Sequence, residues 1–412
     1  MDITNVNKAI LYEKITDYAL FNNRTLSQSI SDISSLKPDL IFRSFWQWGI
    51  VVNSCNTFTD PIAKQTCILN GYNYEGLQNS INQLKQSLPQ TLIIGGLPVQ
   101  NINKDRTYNP ITDTLITYPD TWNMALDPAK WGITSITKQQ LQCQYAQTEN
   151  WYPSTSDCSL YDPNNVCCYF PDLTNPQYQE VFLSWAYKQI DSGVDGIWID
   201  MFTRQLILLY QIVNDMSHPS IVDTTNSMEY IINSIHNYGL SKGKQIYVGT
   251  WASIAAIDKI YSIDFLTVSP RIEDVSLMSY NKTYWDNVIT TIKNKYPSTK
   301  IIGFIDWANS TNTPLGKFSQ VLTHQQQLNF LKISKDFFNS KGITFSYPVH
   351  GGWMGAEALI KSFGTRKEYD SKAPEFNSYN TIKNLMGITT FNENKYIYIA
   401  GGLLALALLW KS

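Results

Sequence analysis

The sequence predicts an α/β protein folded as a single (β/α)₈ barrel, or TIM barrel. Short apolar, β-rich segments alternate strictly with helical patterns, which predicts a parallel sheet. There are eight such segments, which favours closure into a barrel. A doubly wound open sheet is the alternative, but no GxGxxG motif follows an early strand. The predicted strands are 8–12, 39–46, 91–97, 194–200, 245–251, 263–269, 300–306 and 343–348.

Amphipathic segments between these strands predict the helices. The segment 74–88 places Leu77, Ile81, Leu84 and Leu88 on one face, at helical spacing. Asn-Pro at the start of 175–190 is a typical helix-capping signal. Further helical patterns cover 227–240, 283–296 and 324–338.

Length and composition limit the class of protein. The 412 residues allow one large domain, predicted over 1–363, or two smaller ones. The net charge of -2 and the absence of a basic patch argue against a nucleic-acid partner. The 12 Trp and 25 Tyr either fill a large core or, in part, stack on sugar rings in a cleft.

A long insertion, 98–170, separates the third and fourth predicted strands. In a barrel it leaves from the C-terminal face, where active sites lie, so it is interpreted as a disulfide-braced cover over the cleft. The alternatives are a decorative insertion or one that forms a homo-oligomer, which the sequence leaves open. Six cysteines in predicted loops favour disulfides, and six free thiols are the alternative. The cysteines are Cys55, Cys67, Cys143, Cys158, Cys167 and Cys168.

The C-terminal region predicts a final helix and tether over 364–395, followed by a hydrophobic membrane-anchor helix over 396–410. The latter segment is uncharged and would extend about 22 Å as a helix, against a hydrocarbon core of about 30 Å. Packing against another subunit or burial inside the protein are the alternatives. The N-terminus does not read as a signal peptide, whereas disulfides indicate an oxidising compartment. A membrane-anchored protein with an extracytoplasmic barrel, or a virion surface protein, would reconcile these signals.

Carboxylates follow several predicted strands. Asp200 ends the fourth strand in GVDGIWIDMF, and Asp306 ends the seventh. Glu273 and Asp274 follow the sixth strand, and Glu13 follows the first. Because buried carboxylates are costly unless paired or used, we predict catalytic roles for Asp200, Glu273 and Asp306. Cleavage of a glycosidic bond uses two opposed carboxyl groups of this kind.

Aromatic and basic residues at the same strand ends are predicted to bind sugar rings and hydroxyls. They are Arg43, Trp46, Trp48, Trp251, Arg271, Trp307, Tyr347, His350 and Trp353. No GxSxG elbow, P-loop or HExxH motif is present, and the histidines are scattered. The sequence therefore predicts neither a metal site nor a cofactor.

The segment GVDGIWIDMF resembles the GxDGxxxD strand-four segment of TIM-barrel glycoside hydrolases. These include the α-galactosidase and α-glucosidase clan and the endo-polygalactosaminidase-like barrels. The preceding PDLTNPQYQEVFLSWAYKQIDSG is similar to the helix that leads into that strand. The resemblance covers about residues 170–202 and implies that Asp200 is the nucleophile. It also implies an acid after strand six, for which Glu273 and Asp274 are the candidates.

These observations predict a membrane-anchored glycoside hydrolase, or glycosidase-like protein, that acts on a polysaccharide or glycan. The alternative is a non-catalytic carbohydrate-binding or structural surface protein on a degenerate barrel. An isomerase or lyase barrel is disfavoured, because the phosphate-binding glycine-rich loops after strands seven and eight are missing.

Overall fold

Eight parallel strands close into a barrel, which confirms the predicted fold class. The computed structural model describes residues 1–19, 22–306, 310–354 and 367–388. Each strand pairs with the next along the chain, and β8 returns to β1 with Ala9 opposite Ser346. The strands are β1 (Ala9–Tyr12), β2 (Leu40–Phe42), β3 (Leu92–Pro98), β4 (Gly196–Asp200), β5 (Tyr247–Trp251), β6 (Phe265–Val268), β7 (Lys300–Phe304) and β8 (Thr344–Trp353).

Helices follow the strands and start at the predicted capping signals. Asn175 caps its helix by accepting from the backbone amides of Gln177 and Tyr178, and Pro176 occupies the first helical position. All five predicted helices are present. The helices are Leu26–Ser35, Pro61–Asn70, Tyr74–Ser87, Asp120–Asn123, Lys138–Thr148, Pro176–Asp191, Arg204–Val213, Pro219–Ser241, Ile272–Ser276, Lys282–Lys295, Pro314–Gln320, His324–Ser340 and Tyr379–Leu385.

Alternate residues of each strand point into the barrel and form a separate interior core. Trp198 is its largest member; it is fully buried and donates from its indole nitrogen to the Thr267 hydroxyl at 3.0 Å. Phe265 from β6 lies over Gly249 of β5, and a Cβ at position 249 would come within 2.2 Å of its ring. The Phe265 side chain therefore fits inside the barrel because position 249 on the neighbouring strand has no side chain. The other members include Ala9, Leu11, Leu40, Phe42, Leu92, Ile94, Tyr247, Ile302 and Phe304.

The insertion after β3 is a folded unit attached to the C-terminal face. It carries two small antiparallel pairings, and the Cys143–Cys158 disulfide ties its main helix to the following turn. Its Trp131 donates to Asp223 at 2.8 Å, which joins it to the helix after β4. A second disulfide, between β2 and β3, joins Cys55 to Cys67 of the helix Pro61–Asn70. The disulfide prediction fails for Cys167 and Cys168, which are free thiols.

The region after β8 differs in part from the predicted helix and tether. A ninth strand, β9 (Glu368–Asp370), pairs antiparallel with the end of β8, and the helix Tyr379–Leu385 follows it. Within the described ranges, no helix has both the length and the apolar character needed to cross a membrane. The predicted anchor, 396–410, lies outside those ranges.

The Gly249→Ala variant tests the interior packing. The added methyl group would collide with Phe265, so we expect the free energy of unfolding to fall by about 1–3 kcal/mol. Gly49→Ala is the matched control, because a Cβ there meets nothing within 4 Å. Chemical denaturation of both variants measures the difference. Equal stabilities would contradict this account of the barrel interior.

Candidate active site

Five side chains from five strand ends meet at the C-terminal mouth of the barrel, and we call them the mouth cluster. They are Glu13, Arg43, Asp200, Trp251 and Asp306. Glu13, Asp200, Trp251 and Asp306 each lie an even number of positions from an inward-facing residue of the same strand, so the alternation of side chains directs them over the barrel axis. Asp200 and Trp251 are the last residues of β4 and β5.

Arg43 joins two of the carboxylates. Its guanidinium forms ion pairs with Glu13 and with Asp306, the latter at 2.7 Å. The same group lies 4.3 Å from the Trp46 ring centroid and 5.3 Å from that of Trp198. Its backbone has a positive φ of 54°, which is uncommon outside glycine and turns the chain away from β2. This strained backbone places the only cation of the mouth cluster at its centre.

Asp200 is held by a neighbour rather than by a direct arginine bond. Its Oδ1 accepts from the indole nitrogen of Trp251 at 2.6 Å. Burial raises the pKa of Asp200 above its ordinary value, although the charge of Arg43, the Trp251 hydrogen bond and the backbone amide of Met201 each lower it. Met201 has a positive φ of 53°, so the chain turns sharply just after the carboxylate. Asp200 therefore combines an oriented oxygen with an increased affinity for protons.

Glu149 brings a further carboxyl group toward Asp200 from the insertion. It caps the C-terminal end of the helix Lys138–Thr148. Burial raises the pKa of Glu149, and the negative charge of Asp200 raises it further, whereas Tyr145 and Arg204 lower it without cancelling the effect. The Arg204 guanidinium lies 5.7 Å from the Tyr145 ring centroid. Sequence analysis placed the insertion over the cleft but missed Glu149, because no local signal indicates which of its residues reaches Asp200.

His350 lies at the end of β8 but is enclosed rather than open to the cleft. Its side chain is fully buried, with Nδ1 2.9 Å from Asp370 and Nε2 3.4 Å from Asp17. Arg24 forms an ion pair with Asp370. Burial opposes the charged imidazole, but the bonds to the two aspartates outweigh it and raise the pKa of His350 to about 9. Both ring nitrogens are occupied, so the predicted direct contact with substrate is not possible in this arrangement.

Gly351 connects this histidine cluster (Asp17, Arg24, His350 and Asp370) to the mouth. Its φ is +117°, and a Cβ there would come within 2.4 Å of the Glu13 side chain. The next amide, that of Gly352, donates to Glu13 Oε2 at 2.8 Å. The Glu13 amide in turn donates to the His350 carbonyl at 2.9 Å. The backbone of β8 thus fixes the carboxylate that pairs with Arg43.

The acids after β6 have different environments. Asp274 is buried and accepts from the Arg271 guanidinium at 3.1 Å and from the Trp285 indole at 3.0 Å. Burial raises its pKa, but these bonds outweigh burial and hold the pKa of Asp274 below its ordinary value. Arg271 also lies over the Tyr284 ring at 4.2 Å. Glu273 is exposed in the first turn of the helix Ile272–Ser276.

The predicted sugar-binding aromatics are divided among three environments. Trp46 and Trp48 stack at 5.9 Å beside the mouth cluster, and Trp48 is 41% exposed. Trp353 is 49% exposed at the end of β8. Tyr347 points outward from β8 into the layer between barrel and helices, packed on Phe345, so it does not line the mouth. Trp307 lies outside the described residues.

Among residues 1–19, 22–306, 310–354 and 367–388, no three His, Cys, Asp or Glu side chains are arranged to hold a metal ion. The carboxylates of the mouth cluster are instead gathered around a guanidinium.

Comparison with known proteins relates this barrel to one group of enzymes. Residues 105–294 match the family described as glycosyl hydrolases family 31 TIM-barrel domain. The barrel fold and this match make the chain similar to TIM-barrel glycoside hydrolases over that range. The matched range contains both Asp200 and Glu149.

Three solved structures have a similar course of the chain. The glycoside hydrolase domain of PelA from Pseudomonas aeruginosa is 8% identical, with 83% of this chain and 95% of that one covered and a TM-score of 0.39. Eubacterium rectale Amy13B is 13% identical, with coverages of 93% and 79% and a TM-score of 0.48. The type III pullulan hydrolase from Thermococcus kodakarensis is 10% identical, with coverages of 94% and 70% and a TM-score of 0.48. No curated protein matches the sequence.

Replacement of Arg43 tests the balance of charge at the mouth. In Arg43→Met, Glu13 and Asp306 lose their cation while still buried, so we expect the free energy of unfolding to fall by about 3–5 kcal/mol at pH 7. The control is Lys259→Met, which breaks a surface pair with Glu229 and costs at most about 1 kcal/mol. Thermal and chemical denaturation compare the two. Losses of similar size would show that Arg43 is not essential to the mouth cluster.

Titration of His350 should appear as a pH dependence of stability. The pKa in the folded protein, about 9, exceeds the ordinary value of 6.5. The stabilisation is therefore complete below about pH 6.5 and is lost as the pH rises through about 9. We expect wild type to lose about 3 kcal/mol over this window relative to His350→Gln, which carries no titrating ring.

The variant His324→Gln provides the control for this experiment, because it removes an exposed histidine. Denaturant titrations at several pH values should show parallel curves for wild type and His324→Gln. A constant difference between wild type and His350→Gln from pH 6 to pH 10 would disprove the assigned protonation.

Proposed function

We propose that the chain hydrolyses glycosidic bonds at the barrel mouth. The observation that carries this proposal is that the charge of Asp200 raises the pKa of Glu149, so two carboxyl groups from different parts of the chain lie within electrostatic reach of one another. Glycoside cleavage requires one carboxyl group that is protonated and one that is ionised and lies near the anomeric carbon. The family 31 match over residues 105–294 supports this chemistry for the barrel.

Asp200 acts as the ionised partner in this proposal. Its Oδ1 is fixed by the Trp251 indole. Arg43 favours its ionised form but makes its ion pairs with Glu13 and Asp306. Asp200 is therefore available either to attack the anomeric carbon or to stabilise positive charge developing there. Three carboxylates around a single guanidinium also make the mouth electronegative, which favours an oxocarbenium-like transition state.

Glu149 acts as the acid in this proposal. Its pKa is raised by burial, so a larger fraction of the group is protonated at a given pH than for an exposed glutamate. The proton moves from its carboxyl group to the glycosidic oxygen as the bond to the anomeric carbon breaks and the alcohol leaves. Water then adds its hydroxyl to the anomeric carbon and returns a proton to Glu149, which completes the hydrolysis. Exposed Trp48 and Trp353 offer flat surfaces on which sugar rings stack.

A non-catalytic carbohydrate-binding protein is the second candidate function. It is favoured by the ion pairs of Arg43, which occupy the carboxylates of both Glu13 and Asp306. A binding protein would retain its affinity for a glycan when Asp200 is neutralised, and would show no turnover in any variant.

We further propose that the segment 396–410 attaches the barrel to a membrane, at a cell or virion surface. The uncharged composition of the segment and the two disulfides support an extracytoplasmic position. Detergent phase partitioning of the full chain and of a chain ending at residue 395 provides the test. Partitioning of both into the aqueous phase would disprove the attachment.

The Asp200→Asn variant should lose hydrolysis while remaining stable. The amide keeps an oxygen for the Trp251 indole and removes a charge that burial disfavours, so we expect stability within about 1 kcal/mol of wild type. Turnover on a panel of aryl glycosides and polysaccharides should fall on the order of 10⁴-fold. The matched control is Asp223→Asn, which alters another aspartate–indole hydrogen bond, at 2.8 Å from Trp131. Full activity in Asp200→Asn would rule out the proposed role.

The rate at which the Glu149→Gln variant cleaves a glycoside should depend on the leaving group, because the variant has no acid to protonate it. Cleavage of glycosides with poor leaving groups should slow by about 10²–10⁴-fold, whereas dinitrophenyl glycosides, which need no proton, should be cleaved almost normally. The fall of activity at high pH, where Glu149 loses its proton, should also disappear. Glu273→Gln is the comparison, because Glu273 is the acid that the sequence suggested. A leaving-group effect in Glu273→Gln alone would transfer the role to that residue.

A further inference from the structure

A cavity of about 650 Å³ opens beside the mouth cluster. It lies between the ends of β4, β5 and β6 and the helix Lys282–Lys295, and Trp251 forms part of its wall. The indole of Trp251 also binds Asp200, so the cavity begins where the proposed reaction centre ends. Its volume is typical of sites that enclose a small organic group.

The wall of this side cavity is apolar over most of its surface, although Arg204 and Asn287 also line it. Ile207, Val268, Val288 and Ile292 line it. Met201 and Ile207 are 39% and 38% exposed, so large apolar side chains face solvent at this site. Exposed apolar surface that is continuous with a concave site is characteristic of ligand binding.

Several polar side chains of the cavity are already bonded within the protein. The Thr203 and Ser253 hydroxyls lie 3.2 Å apart. Thr267 accepts from the Trp198 indole, and the Ser269 hydroxyl accepts from a backbone amide at 3.2 Å. A sugar ring placed here would find few of these side chains free to bond with its hydroxyls, and a hydroxyl that loses water without gaining a partner costs free energy.

We propose that the side cavity binds an apolar aglycone, an alkyl chain or aromatic ring, whose sugar occupies the barrel mouth. The identification of the bound group as an aglycone rests on the proposed hydrolysis. The preference of the side cavity for apolar groups rests on the cavity alone. The substrate class is thus a glycoside of an apolar alcohol rather than an internal bond of a long polysaccharide. Each methylene that enters the cavity should improve affinity about fourfold.

The first test uses the neutral fluorescent probe N-phenyl-1-naphthylamine and the full chain. Ala256 is exposed and lines the cavity, so Ala256→Trp should fill it and weaken probe binding at least tenfold. Ala129→Trp is the matched control, because Ala129 is an exposed alanine in another 3₁₀ helix, outside the cavity. Ser253→Phe provides a second filling variant. Equal probe affinity in wild type and both filling variants would overturn the proposal.

The second test uses methyl, hexyl and octyl glycosides of the sugar that the hydrolysis panel identifies. KM should fall with chain length in wild type and in Ala129→Trp, but not in Ala256→Trp. Hydrolysis with a KM independent of chain length would overturn the aglycone assignment and leave the proposed hydrolysis standing. Probe binding that Ala256→Trp abolishes, in a chain that hydrolyses no glycoside, would refute the hydrolysis and support the apolar site.

Discussion

One guanidinium that serves three carboxyl groups is the constraint on which the rest of the site depends. Arg43 pairs with Glu13 and Asp306 and influences Asp200 through its charge. Three acids around one base leave the mouth cluster with excess negative charge, and burial raises the pKa of Asp200 despite the opposing charge of Arg43. A fully compensated site would have no such electrostatic preference for a cationic transition state. The same excess makes the site dependent on every hydrogen bond that holds its members in place.

The hydrogen bond that holds Glu13 comes from the end of β8. The buried His350, between Asp17 and Asp370, fixes the course of the strand at the point where Gly351 passes Glu13. The ninth strand is required for this arrangement, since it supplies Asp370. The sequence predicted that His350 binds substrate. In the structure it acts indirectly, because it positions Glu13, the carboxylate that pairs with Arg43.

The sequence predicts all eight barrel strands because alternation and apolar runs are local signals. It also predicts Asp200, Arg43 and Trp251 at the mouth, because the ends of parallel strands converge. Side chains alternate between inward and outward along β8, and this alternation would have excluded Tyr347 from the predicted sugar-binding residues, because it points to the helices. Glu149 could not be predicted, since only the tertiary packing of the insertion brings it near β4. The enclosure of Asp274 by Arg271 and Trp285 likewise depends on the turn between two helices.

Closure of the barrel has a consequence for how the chain is made. Thr344 of β8 donates to the carbonyl of Val6, 338 positions earlier, and β8 also supplies the last side of the ring. During synthesis, the amino-terminal strand emerges long before this partner exists. One of its edges must wait until β8 has been synthesised, and such long-range pairing slows folding. An incomplete ring exposes an unpaired edge that invites aggregation, so nascent chains of this protein should depend on chaperone protection until β8 has left the ribosome.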